Sequence, residues 1–283
     1  MARFLLEHGA STAAQNEDGS TSLHRASWRG NVGLVQILLE HGADTAVRDN
    51  DKWTPLHRAS WEGHGEVTRI LVGHGADATA QDKDGWTPLH RASEQGHMEL
   101  ARFFVEHGAD TAARDKSGWT PLHWVSFKGY MELAWLLIEH GADVAAQDKH
   151  EWTPLHRASW GGHMELARGL IEHGADVAAK DKSGATALHW ACERGLVELV
   201  QFLVEDGADA AARTSAGGLR YIGHPGGVTW SWPGSSSSTA LTWQLRTSPA
   251  RLRCIGHARG VSWSWPSFLS SVALTQQSRT SAG

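Results

Sequence analysis

The sequence predicts an all-α solenoid followed by an irregular tail, and three observations carry that prediction. First, the chain repeats itself every 33 residues. WTPLHRAS occurs at Trp53, Trp86 and Trp152, WTPLHWVS at Trp119, TSLHRAS at Thr21 and TALHWAC at Thr186. The marking histidines are His24, His57, His90, His123, His156 and His189. A fixed period of this size is the mark of stacked structural repeats. Second, each unit carries a helix start and two helix stops. Third, the text changes after about Arg213, where this alternation ends.

The elements follow in order. Residues 1–17 read as a partial unit, second helix only, because Met1-Ala-Arg-Phe matches Leu100-Ala-Arg-Phe. Residues 18–213 read as six repeats, at 18–50, 51–83, 84–116, 117–149, 150–182 and 183–213. In the unit 84–116, Thr87 is a good N-cap and Pro88 stands at the first helical position, where a missing N–H costs nothing. Leu89 and Ala92 then point inward. Gly96 ends the first helix in a left-handed cap. The second helix places Leu100, Phe103 and Phe104 on one stripe of helical period, and Gly108 ends it. Segments around Asp115 and Gly85 form hairpin-like turns between units. Two short helices cannot bury both their faces, so units must stack on their neighbours.

A second landmark, HGAD, recurs at His41, His107, His140 and His173, with HGADA at His74 and DGADA at Asp206. Together with G-x-T-P-L-H-x-A, this resembles the ankyrin repeat family over residues 1 to about 213. The resemblance implies an ankyrin-repeat solenoid of helix-turn-helix units with hairpin-like turns. It also implies a non-catalytic protein-interaction module, similar to the ankyrin ends of large intracellular receptor-type proteins. The sequence departs from the family at Ala46, Thr79, Ala112, Ala145, Ala178 and Ala211, where the family has Asn, so looser turns are expected. Gly169 stands where Ile37, Ile70, Phe103, Leu136 and Phe202 are apolar. A deficit of roughly 2–5 kcal/mol, or a local collapse, is expected there. No polar capping unit precedes the array, and a fragment of a longer array is expected.

Composition narrows the function. Residues 1–213 hold 20 Lys and Arg and all 31 Asp and Glu, a net charge of −11; residues 214–283 hold six Arg, no Lys and no acid, so the chain totals −5. No stretch approaches the roughly 18 apolar residues of a membrane span, so no membrane partner is expected. Two cysteines, Cys192 and Cys254, make no disulfide framework or metal spacing, and a cytoplasmic or nuclear location is expected. The 18 histidines invite a metal site. Equivalent histidines, however, lie on neighbouring helices about 8–10 Å apart, and zinc bonds of about 2 Å cannot converge across that gap. Hydrogen bonds from these rings to Thr and loop backbone are expected instead. No nucleophile elbow, P-loop or paired-carboxylate cleft appears. No catalytic residue, metal or cofactor is therefore assigned, and no enzyme is expected.

The informative residues are aromatic and basic. Trp53, Trp86, Trp119 and Trp152 sit in the turn before T-P-L-H, a position that in the family lies on the concave side. Trp28, Trp61, Phe127 and Trp160 follow on the first helix. Arg25, Arg58, Arg91, Trp124, Arg157 and Trp190 stand three residues before that row, so they share its helix face. Two parallel ladders of Arg and aromatic side chains along one groove are expected, in residue types enriched at binding hot spots. A protein or peptide partner fits this groove. Single-stranded nucleic acid would also suit Arg with aromatics, but the array's negative charge argues against it. Two alternatives stand beside binding: that the Trp rows merely pack units together, and that the chain is a structural spacer or a non-functional fragment of a larger receptor.

Residues 214–283 keep the 33-residue phase, with RTS at Arg213, Arg246 and Arg279. They read as ankyrin text in a shifted frame: ATG GAG CTG GCC AGG, one way to encode Met98-Glu-Leu-Ala-Arg, becomes Trp-Ser-Trp-Pro-Gly when its first base is dropped. That is the stretch 230–234. The Ser run and scattered Gly and Pro predict disorder.

Overall fold

The computed structural model describes residues 1–210 and 212–215, so the expectations for the tail lie outside the described residues. Thirteen α-helices and no strand occur among them. A lone helix, α1 (Ala2–Glu7), precedes six helix pairs. These are α2 (Ser22–Trp28) with α3 (Val32–Glu40), α4 (Pro55–Glu62) with α5 (Gly65–Gly73), and α6 (Pro88–Gln95) with α7 (Met98–Glu106). They continue with α8 (Pro121–Lys128) and α9 (Met131–Glu139), α10 (Pro154–Gly161) and α11 (Met164–Glu172), and α12 (Ala187–Glu193) and α13 (Val197–Glu205).

Local chemistry sets each first helix. A Thr caps all six, from Thr21 to Thr186, and four of them have Pro at the first helical position. The His three residues after each Thr turns its ring back to complete a reciprocal cap. Gly63, Gly96, Gly129 and Gly162 then stop four of these helices with φ near 80°. Every substantial helix contact lies within a pair or between adjacent pairs, as expected of a solenoid.

The core is a continuous file through the stack. Leu23, Leu56, Leu89, Leu122, Leu155 and Leu188 supply it from the first helices. Leu38, Leu71, Phe104, Leu137, Leu170 and Leu203 supply it from the second helices, and all twelve are buried.

Two expectations from single residues are corrected by packing. At Gly169 there is no apolar deficit, because the indole of Trp135, from the preceding unit, occupies the space. A Cβ on Gly169 would collide with Cζ2 and Cη2 of that ring. Trp135 then stacks on His173, with centroids 5.1 Å apart and planes 17° from parallel. The turns after G-A-D are also not left without a clasp. The Asp itself accepts the N–H two residues on, as Asp44 does from Ala46 at 2.8 Å and Asp110 from Ala112 at 2.8 Å. This is an Asx-turn made by the Asp itself.

The hairpin-like turns are tied to one another by backbone. Lys83 N–H donates to Asp51 O at 2.9 Å, and Lys116 N–H to Asp84 O at 2.8 Å. The residue at the tip adopts positive φ. It is Gly in four units, but Lys52 and Glu151 take φ 61° and 62° in the other two.

Candidate functional site

Each turn Trp is held by its backbone from two sides. On one side, a buried Asp four residues earlier accepts the Trp N–H. Asp49 does this for Trp53 at 2.9 Å, Asp82 for Trp86 at 3.0 Å, Asp115 for Trp119 at 2.9 Å and Asp148 for Trp152 at 3.0 Å. On the other side, the His of the preceding unit donates Nε2–H to the Trp carbonyl. His24 reaches Trp53 at 3.0 Å, His57 reaches Trp86 at 3.0 Å, His90 reaches Trp119 at 3.1 Å and His123 reaches Trp152 at 2.9 Å.

The other nitrogen of each ring faces donors. Nδ1 of His57 accepts from Thr54 N–H at 3.2 Å and lies 2.8 Å from Thr54 Oγ1. A proton on Nδ1 would confront that N–H, so the Nε2–H tautomer is the one that fits. Burial pushes His57, His90 and His123 down to about 4. It also lowers His24, His156 and His189. These histidines are structural pins in their neutral form.

On this backbone the side chains make one column rather than two parallel ladders, which corrects the expectation. In the third, fourth and fifth units, the first-helix residue five positions after the turn Trp inserts between that Trp and the Trp of the preceding unit. The Arg91 guanidinium lies 4.2 Å from the Trp53 ring centroid and 4.0 Å from that of Trp86. Trp124 lies 4.5 Å from Trp86 and 4.2 Å from Trp119. Arg157 lies 3.7 Å from Trp119 and 4.2 Å from Trp152. Arg58 closes one end on Trp53 at 4.5 Å, and Trp190 closes the other on Trp152 at 4.4 Å. The order is therefore Arg58, Trp53, Arg91, Trp86, Trp124, Trp119, Arg157, Trp152, Trp190. Cations over indole faces and offset indole pairs are both attractive.

The third row flanks the column. Trp61 lies 5.8 Å from Trp53, Phe127 5.9 Å from Trp119, and Trp160 6.1 Å from Trp152 and 5.4 Å from Trp190. Glu94 takes this register position in the third unit, and burial raises its carboxyl. Arg25 and Trp28 stand beyond the column, both exposed, with Arg25 5.7 Å from the Trp28 ring. The remaining aromatic members are half-buried. Arg91 is only 8% exposed, so it serves the column from within.

The turn Asp is the component that the Trp and Arg pattern alone did not reveal. Its second oxygen takes the column Arg: Asp49 pairs with Arg58 at 2.6 Å, Asp82 with Arg91 at 2.5 Å, and Asp148 with Arg157. The signal was present in the sequence, as an Asp four residues before each turn Trp and nine before each column Arg. In the fourth unit the column member is Trp124, which brings no charge, and burial raises the Asp115 carboxyl.

The Cys192 thiol is pushed up to about 11 by burial. Among the described residues no group of three or more His, Cys, Asp or Glu is placed to hold a metal ion. No helix there is long and apolar enough to cross a membrane.

Comparison with known families gives a match to ankyrin repeats (3 copies) at residues 1–82, 56–148 and 144–214. No curated protein matches the chain. Ankyrin repeats are generally protein-interaction modules and are typically non-enzymatic. With its helix pairs, its Thr–His clasps and its stacked turns, the chain belongs to the ankyrin-repeat family.

Proposed function

We propose that this chain is a non-catalytic binding module that captures a protein or peptide partner along the Trp–Arg column. The observation that carries this reading is the column itself: nine planar groups in register, most of them half-buried, beside a flanking row of Trp61, Phe127 and Trp160. Core positions are already filled by Leu, Ala and Val, so packing alone does not require so many indoles. Arg and Trp are residue types that dominate binding energy at protein interfaces. The negative charge of the array favours a protein partner over nucleic acid, whose affinity rests on phosphate neutralisation. The absence of a disulfide framework agrees with a cytoplasmic or nuclear setting.

The test is to replace Trp86 and Trp119 together with Ala and to follow partner capture and helical circular dichroism in parallel. Capture should be abolished while the helical signal survives. Equal capture by the variant would favour a spacer, a reading to which the close mutual stacking of the rings lends weight.

A further inference from the structure

The column is one member short at its N-terminal end. Positions 53, 86, 119 and 152 are Trp, but the same register position in the first unit is Ser20. Arg58, which stacks on Trp53 at 4.5 Å, also lines a cleft of about 160 Å³ together with Asp18, Ser20, His24, Arg25 and Trp28. The molecule shows what such a space takes one unit further on. Between Arg58 and Arg91 stands the ring of Trp53, 4.5 Å and 4.2 Å from the two guanidinium carbons. Arg25 and Arg58 are the same pair, one period earlier.

The charge at this end is different as well. The turn Asp that neutralises Arg58, Arg91 and Arg157 is replaced one period earlier by Asn16. Arg25 has no ion-pair partner among the described residues and is exposed, resting only near the Trp28 face. The cleft therefore combines a ring-sized space beside a stacking guanidinium with a second cation held in no ion pair among the described residues. Asp18 on its rim offers an acceptor for an indole N–H.

We propose that this cleft takes the aromatic side chain of an acidic peptide. The ring enters between Arg25 and Arg58, as Trp53 stands between Arg58 and Arg91, and a neighbouring carboxylate pairs with Arg25. The inference rests on the reading of the column as a partner surface and names what its N-terminal end accepts. Cation–π contact holds the ring, and the carboxylate supplies the charge that Asn16 does not.

The test titrates the full chain with acetyl-Asp-Trp-Asp-amide and, as a control, acetyl-Asp-Ala-Asp-amide. It follows the Arg25 and Arg58 Nε–H and Trp28 indole N–H resonances. The Trp peptide should shift these signals saturably, and the Ala peptide should bind at least tenfold more weakly. Ser20→Trp, which supplies the ring from the chain itself, and Arg25→Gln, an exposed change, should each weaken the Trp peptide at least tenfold. Unchanged binding in Ser20→Trp overturns the inference. Shifts confined to Trp119 and Arg157 overturn it alone and leave the column reading standing. No shift anywhere also overturns the inference, while the column reading stands or falls on partner capture by the Trp86 and Trp119 variant.

Discussion

Arg91 and Trp124 occupy the same place in successive units and fill it by different chemistry. Arg91 lies between Trp53 and Trp86 and delivers its charge to Asp82. Trp124 lies between Trp86 and Trp119 and delivers none, so the Asp115 carboxyl beneath it is raised by burial. Both keep the column continuous. The geometry thus asks only for a flat group between two indoles, whereas charge balance asks for Arg. The fourth unit satisfies the first demand without the second, which separates stacking from ion pairing within one molecule.

Acid should break both kinds of member at once, and this is the largest expected effect. Each turn Trp carbonyl depends on a neutral His from the preceding unit. In the unfolded chain these rings take up protons near 6.5, but His57, His90 and His123 resist until about 4. Stability is therefore full above pH 6.5 and falls as pH drops toward 4. At pH 5 the loss is roughly 2 kcal/mol for each of the three. Urea unfolding at pH 7.5 and pH 5 measures it, and a midpoint independent of pH over that range would refute the pinning role.

The next effect divides the two members. Arg91→Met removes the guanidinium and leaves Asp82 buried without its counter-charge, at about 3–5 kcal/mol. Trp124→Met removes only ring contacts, at about 1–2 kcal/mol. Equal losses in urea midpoints would show that the ion pair adds nothing to the stack.

A control away from the column comes third. Gly169→Leu supplies the apolar group that the repeat pattern calls for, yet it should destabilise by about 1–3 kcal/mol, because Trp135 already holds the space. A gain in thermal midpoint would show that the Trp135 packing is wrong.

The smallest effect converts one member into the other. Trp124→Arg should change stability by less than about 1 kcal/mol, since an ion pair replaces a well-packed ring. The Asp115 carboxyl should nevertheless fall from its raised value once a guanidinium faces it. Carboxyl-resolved NMR titration reads that directly.

The repeat, the helix pairs and the Thr–His clasps were legible because they rest on residues close in sequence. Thr87, Pro88, His90 and Gly96 are enough to write one unit. The column was half legible. The rows were visible, but the insertion of Arg91 between Trp53 and Trp86 depends on how two turns stack, and spacing within one unit does not contain that. Gly169 misled for the same reason: the ring that fills its space sits in the preceding unit, at Trp135. The turn Asp was visible at fixed spacing, but its role as the anchor of both Trp and Arg required the three-dimensional fold.

The central claim is that the column is the partner-binding surface, and footprinting of the unmodified chain tests it most directly. Oxidative labelling of tryptophans is measured with and without a captured partner. Trp53, Trp86, Trp119 and Trp152 should become protected, while Trp135 on the second-helix side, stacked on His173, should label as before. Protection of Trp135 with the four turn tryptophans unchanged would contradict the account.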